Sequence, residues 1–150
     1  MLVDTGGFTD PNLVARVFCA ARGMHWINQA SWNAFPRFYL KARNRNVDAI
    51  LQCVRQGQTP VSVAVNASLW RSFMLPEHDL RRRAAEVAVP TLLVWGRHDP
   101  VIALDRGQLA VRTIPGAQLT VLPTGHMPFA EDPVAFLGAV QPFLAAVGRP

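Results

Sequence analysis

Thr91-Leu92-Leu93-Val94-Trp95 is a continuous apolar run, closed by Pro90 on one side and Gly96 on the other. A short run without polar alternation fits a strand buried on both faces of a parallel sheet. Parallel strands need crossover connections, and the following sequence supplies them. Gly96 to Pro100 reads as a loop, residues 104–114 as a helix stopped by Pro115-Gly116, and residues 117–122 as a second strand. Pro123-Thr124-Gly125-His126 makes a second loop. Asp132-Pro133 then opens a last helix with Phe136, Leu137, Val140, Phe143 and Leu144 on its apolar face. This alternation predicts an α/β fold with right-handed crossovers and a short parallel sheet.

The chain upstream of residue 84 has a different style. Residues 1–4 are a brief apolar run ending in Asp4, punctuated by Thr5-Gly6-Gly7, which reads as the end of a strand. Residues 10–83 read as helical. Asp10-Pro11 supplies a cap and a first helical position, and Leu13, Val14, Val17, Phe18 and Ala21 repeat at helical spacing up to Gly23. Val47, Ile50, Leu51 and Val54 mark another helix within 46–56. Thr59-Pro60 marks a break, and Asn66 is the expected cap of a helix reaching about Phe73. Val61 to Val65 alternates briefly like a strand. Residues 76–80 begin a final helical turn. Three parts result: 1–9, a helical insertion at 10–83, and 84–150.

Composition bounds the class. The chain has 150 residues, 50% hydrophobic and 17% charged, enough apolar mass for a folded domain. No apolar run approaches the ~18 residues of a membrane span, and the first residues lack the basic and apolar regions of a secretory signal. The two cysteines, Cys19 and Cys53, sit in no metal-ligand or CxxC pattern. They read as buried thiols of a reducing, cytoplasmic compartment. The net charge of +5 is carried almost wholly by arginine. Only Arg81-Arg82-Arg83, with Arg71 nearby, is dense, and it reads as the wet side of a helix. Neither a nucleic-acid nor a membrane partner is expected.

The candidate chemistry lies in the two loops after the strands. Open α/β sheets gather functional groups at the carboxyl ends of their strands. Asp99 follows one strand and His126 the next, and adjacent strands lie ~4.8 Å apart, so a carboxylate can meet an imidazole. The carboxylate would fix the ring tautomer and stabilise the imidazolium that forms when the other nitrogen takes a proton. Asp99 alone could also cap the following helix. Asp4, after the first strand, is either an alternative acid or a turn cap. His98 beside Asp99 lacks a third metal ligand, and His25 and His78 read as surface residues. Trp26, Trp32, Phe35, Phe38, Trp70 and Phe73 could line an apolar substrate pocket or form ordinary helical core.

Residues 89–102, Val-Pro-Thr-Leu-Leu-Val-Trp-Gly-Arg-His-Asp-Pro-Val-Ile, resemble the penultimate strand and acid loop of the α/β-hydrolase fold superfamily. Residues 125–133, Gly-His-Met-Pro-Phe-Ala-Glu-Asp-Pro, resemble its histidine loop, and residues 2–8 the strand and turn before its helical cap. The resemblance implies a nucleophile–acid–histidine order, with Asp99 orienting and His126 as general base and then acid. It implies hydrolysis of an ester or related bond in a small apolar substrate, without cofactor or metal. The departure is equally plain. The family's G-x-S-x-G elbow is absent, as is its oxyanion-hole loop, and Ser31, Ser62, Ser68 and Ser72 all lie in the helical stretch. The resemblance therefore covers cap, acid and base, the C-terminal half of such a hydrolase. A chain with only those parts is expected to be inactive alone. The other class left open is a non-catalytic or split protein, associating with itself or with a complementing N-terminal half through its bare sheet edge.

Overall fold

The structure, a computed structural model, describes residues 1–9 and 12–148. Asp10-Pro11, the expected first helix cap, lies outside the described residues. Three parallel strands, β1 (Leu2–Val3), β2 (Leu92–Gly96) and β3 (Gln118–Leu122), form one sheet in the order β1-β2-β3. Leu93 pairs with Leu2 on one side and Leu119 on the other, so β2 is central. All five of its residues are buried, which is what its unbroken apolar run requires.

The period of two along β2 divides the core. Leu93 and Trp95 face Phe8, Ala84, Ala110 and Ile114 on one side. Leu92 and Val94 face Leu122 and Val140 on the other. Helix α6 (Leu104–Thr113) supplies Ala110 to the first layer, and α8 (Pro133–Val147) supplies Val140 to the second. Between β3 and α8 lies α7 (Pro128–Glu131), a single turn that the sequence reading did not separate from the loop. Asp132 caps α8 as expected, its side chain accepting from the Ala135 amide.

The upstream stretch is helical: α1 (Leu13–Arg22), α2 (His25–Ser31), α3 (Phe35–Tyr39), α4 (Arg45–Gln56) and α5 (Pro60–Ser72), then two short 3-10 turns at Pro76–His78 and Ala84–Glu86. Helix α4 starts at Asn44, whose side chain accepts from the Asn46 and Val47 amides, and buries Val47 and Leu51. Helix α5 begins before Asn66, contrary to expectation. Thr59 and Ser62 form a reciprocal capping box with Pro60 in the first turn, so the strand-like alternation of Val61 to Val65 is helix. Asn66 sits inside α5, its Oδ1 accepting from Asn28 and Trp70.

Two other expectations are corrected. Helix α1 buries Cys19 and Arg22, while Leu13, Val14 and Val17 are 76%, 78% and 59% exposed. Its packing against α2 and α5 uses the other flank of the helix. Cys53 is exposed on α4, because the face of that helix turned inward is the one bearing Val47 and Leu51. Among the described residues, no helix is long and apolar enough to cross a membrane.

Candidate active site

β2 and β3 run parallel and end side by side, so the loops that follow them emerge together. Their pairing continues beyond the strands: the Arg97 amide donates to the Leu122 carbonyl at 2.8 Å, and the His98 amide to the Thr124 carbonyl at 2.9 Å. A Cβ on Gly96 would overlap the Gly125 carbonyl oxygen, so the approach of the two loops needs glycine there.

Asp99 does two things in this junction. Its Oδ1 accepts from the Val101 and Ile102 amides at 2.7 and 3.1 Å, the local capping role. Its Oδ2 lies 2.7 Å from His126 Nδ1. The Asp99 side chain is fully buried and the imidazole 27% exposed. A carboxylate so placed makes Nδ1 the protonated nitrogen and leaves Nε2 with the lone pair. Among the described residues nothing hydrogen-bonds Nε2. Burial alone would lower the His126 pKa; the Asp99 hydrogen bond and the charges of Asp99, Asp4 and Glu131 outweigh it and raise the pKa.

Asp4 completes the cluster from the end of β1. It adopts a left-handed backbone (φ 37°), which aspartate tolerates better than most residues. Its Oδ1 accepts from the Gly96 amide at 2.8 Å, while its Oδ2 is buried without a partner. Burial, the dominant cause, pushes its pKa up to about 7. One ligand atom each of Asp4, Asp99 and His126 falls within 4.8 Å of the others. These are the residues that could approach a cation. In doing so, a cation bound at Nδ1 and Oδ2 would displace the bond between them.

Glu131 is the site residue the sequence reading missed. It is buried in α7, with Oε2 accepting from the amides of Lys41 (2.8 Å), Ala42 (2.9 Å) and Gly125 (3.0 Å), and Oε1 from Met127 (3.3 Å). The Asn44 side chain donates to its carbonyl at 2.9 Å. The His126 amide donates to the Tyr39 carbonyl at 3.0 Å, and the two rings meet edge to face at 5.6 Å. The histidine loop is thus fastened to the helical stretch. An acid inside the loop motif was the available signal, but its partners Lys41 and Ala42 lie some 90 residues away in sequence.

The aromatic candidates divide. Trp32, Phe35 and Trp70 line one cavity of about 150 Å³ with Arg22, Tyr39 and Asn66 among its other walls. Phe38 stacks on Phe35 and Phe73 packs edge-on against Trp70, both about half exposed, at its flanks. Trp26 is 69% exposed and does not line it. His25, His78 and His98 are exposed, apart from the cluster. The serine hydroxyls are engaged within the helical stretch: Ser31 with Arg22, Ser62 in the capping box, Ser68 with Arg71, Ser72 with the Leu69 carbonyl.

No protein-family model matches the chain. It is similar to 2-hydroxy-6-oxo-6-phenylhexa-2,4-dienoate hydrolase of Burkholderia cepacia, 40% identical over 68 residues that make up 45% of this chain and 24% of that protein. Its fold is similar to that of the enol-lactonase of Burkholderia xenovorans, at 24% identity and a TM-score of 0.72, covering 95% of this chain and 54% of that one. MenH from S. aureus overlays at a TM-score of 0.73 and 20% identity, with 99% and 59% covered. The chain has the fold of part of an α/β-hydrolase. It matches these α/β-hydrolases over little more than half their length at most.

Proposed function

We propose that this chain supplies the acid and the base of a nucleophile–histidine–acid triad that cleaves an ester or related bond. The observation that supports the reading most is the 2.7 Å contact of His126 Nδ1 with Asp99 Oδ2, beside an Nε2 that has no partner. In this reading Nε2 takes the proton of a nucleophilic hydroxyl or carries out the equivalent step on water. The nucleophile's oxygen bonds to the acyl carbon, and the oxyanion collapses to an acyl intermediate. The leaving alcohol departs with the proton from His126. Water, deprotonated by the same nitrogen, then releases the acid. Residues 10–83 act as a cap over the site, with Tyr39 against the His126 ring as one wall.

The nucleophile and the oxyanion donors come from polypeptide beyond residues 1–150, in the same chain or in a partner. The test is to express the 150 residues alone and together with the polypeptide encoded directly upstream, and to assay p-nitrophenyl butyrate. Turnover by the extended protein that is lost on His126→Ala supports the reading. An upstream frame closed by a stop codon, with no turnover by the chain, removes it.

That outcome would favour the second reading, a non-catalytic or split subunit. The outer edge of β1 is unpaired among the described residues, and Leu13, Val14 and Val17 are exposed, as an associating surface requires. Size-exclusion chromatography distinguishes it: a dimer or larger species is expected there, a monomer contradicts it.

A further inference from the structure

Arg22 is the most unusual residue of the helical stretch. It ends α1 with only 6% of its surface exposed. No carboxylate among the described residues pairs with it. Its Nη1 donates to the Ser31 hydroxyl, and its Nε is buried without any partner. The guanidinium instead lies against aromatic faces, 4.1 Å from the Phe35 centroid and 5.3 Å from that of Trp70. Cation–π contacts offset part of the desolvation of a charge, but a buried cation is ordinarily matched by an anion.

The same guanidinium lines the cavity of about 150 Å³ bounded by Trp32, Phe35, Tyr39, Asn66 and Trp70. Tyr39 is the shared wall: its ring meets Phe35 at 5.4 Å inside the helical stretch and His126 at 5.6 Å on the sheet side. We propose that Arg22 is the anion-recognising end of this cavity, which takes an apolar monocarboxylate with its charged group on Arg22 and its body between the aromatic rings. Two features select this class. One guanidinium balances one negative charge, whereas a phosphate dianion would leave charge uncompensated in an apolar enclosure. Apart from Asn66, whose Oδ1 is taken up by Asn28 and Trp70, the other walls are rings and short apolar side chains, which suit a hydrocarbon body better than a sugar or a nucleotide.

That this carboxylate belongs to the hydrolase's substrate, and not to a separate ligand, rests on the function proposed above. A substrate held at Arg22 would then reach past Tyr39 with its scissile bond toward His126.

The test needs no turnover, so its failure is distinct from failure of the triad reading. The 150-residue chain is titrated with benzoate and with benzamide, near-isosteres differing in charge, and followed by tryptophan fluorescence, since Trp32 and Trp70 line the cavity. Benzoate is expected to bind at least ~10-fold more tightly, as a charge-assisted, bidentate contact implies. Arg22→Met should bring the two ligands to within ~2-fold of each other, and Arg22→Lys, which keeps the charge but not the fork, should fall between. Should Arg22→Met not fold, the two ligands on the unaltered chain still decide. Equal affinities, or no response to either, overturn the proposal.

Discussion

Glu131 Oε2 joins the Gly125 amide, one residue before His126, to the Lys41 and Ala42 amides of the α3–α4 connection, at 3.0, 2.8 and 2.9 Å. A single buried carboxylate therefore sets the height of the histidine loop against the helical stretch. Removing it strands several buried N–H groups at once. Glu131→Ala is expected to lower stability by roughly 3–5 kcal/mol, the range for breaking a buried charged network. Glu131→Gln, which keeps one acceptor, should lose less. Urea denaturation of the three proteins checks the order; equal midpoints would show that water replaces the carboxylate without loss.

The approach of the two loops gives a sharper steric prediction. A methyl group at Gly96 would overlap the Gly125 carbonyl, and one at Gly125 would overlap the Tyr39 carbonyl and crowd Glu131 Oε1. The nearest obstacle at each position is a backbone carbonyl oxygen, not the mobile end of a side chain. Gly96→Ala and Gly125→Ala should each cost ~1–3 kcal/mol or more, as overpacking does. Gly138, which has nothing within 4 Å of the added carbon, is the control and gains helix propensity as alanine. Thermal melts of the three variants test the contrast.

Much of this arrangement was legible in sequence because it rests on local period and order. The apolar run at 91–95 has the length expected of a strand buried on both faces, and the order of the strand ends indicates which loops can meet. Local signals misled where two of them competed. Val61 to Val65 alternates like a strand, but Thr59, Pro60 and Ser62 start a helix before that pattern can act. In α1 the periodic residues Leu13, Val14 and Val17 are the exposed ones, while Arg22, a residue type seldom buried, is inside. The contacts of Glu131 with Lys41 and Ala42 and the crowding of Asp4 against Asp99 and His126 come from residues far apart in the chain. No spacing rule along one sequence encodes such contacts.

The Asp99–His126 bond has a direct spectroscopic consequence. A proton held between Nδ1 and a buried carboxylate 2.7 Å away exchanges slowly and resonates far downfield. A proton NMR spectrum of the chain should show one such signal, absent from His126→Ala and displaced or lost in Asp99→Asn. The ring should titrate above 6.5, because the Asp99 bond and the surrounding carboxylates outweigh burial. In Asp99→Asn the two largest raising influences vanish while burial remains, so the midpoint should drop. Any hydrolytic rate that depends on neutral His126 would accordingly rise with pH through the folded-state value. An unchanged midpoint in Asp99→Asn would place the origin of the shift elsewhere.

Asp4 sets the pH dependence of stability. Its folded pKa of about 7 lies above the ordinary 3.8, chiefly through burial. Between those values the unfolded chain has released the proton and the folded chain still holds it. The folded state binds more protons there, so stability falls as pH rises from about 4 to about 7, then stops changing on account of this group. His126 acts in the same direction at higher pH, since its raised pKa gives stability that is present below 6.5 and lost as pH passes its folded value. Asp4→Asn mimics the protonated carboxyl, keeps an oxygen for the Gly96 amide and cannot ionise. It should match the unaltered chain below pH ~4 and exceed it in stability at pH ~7, with only the His126 step remaining. Denaturation midpoints across that range decide the matter. Parallel curves for the two proteins would mean that Asp4 is ionised in the folded chain throughout, with its Oδ2 solvated by water that reaches the end of β1.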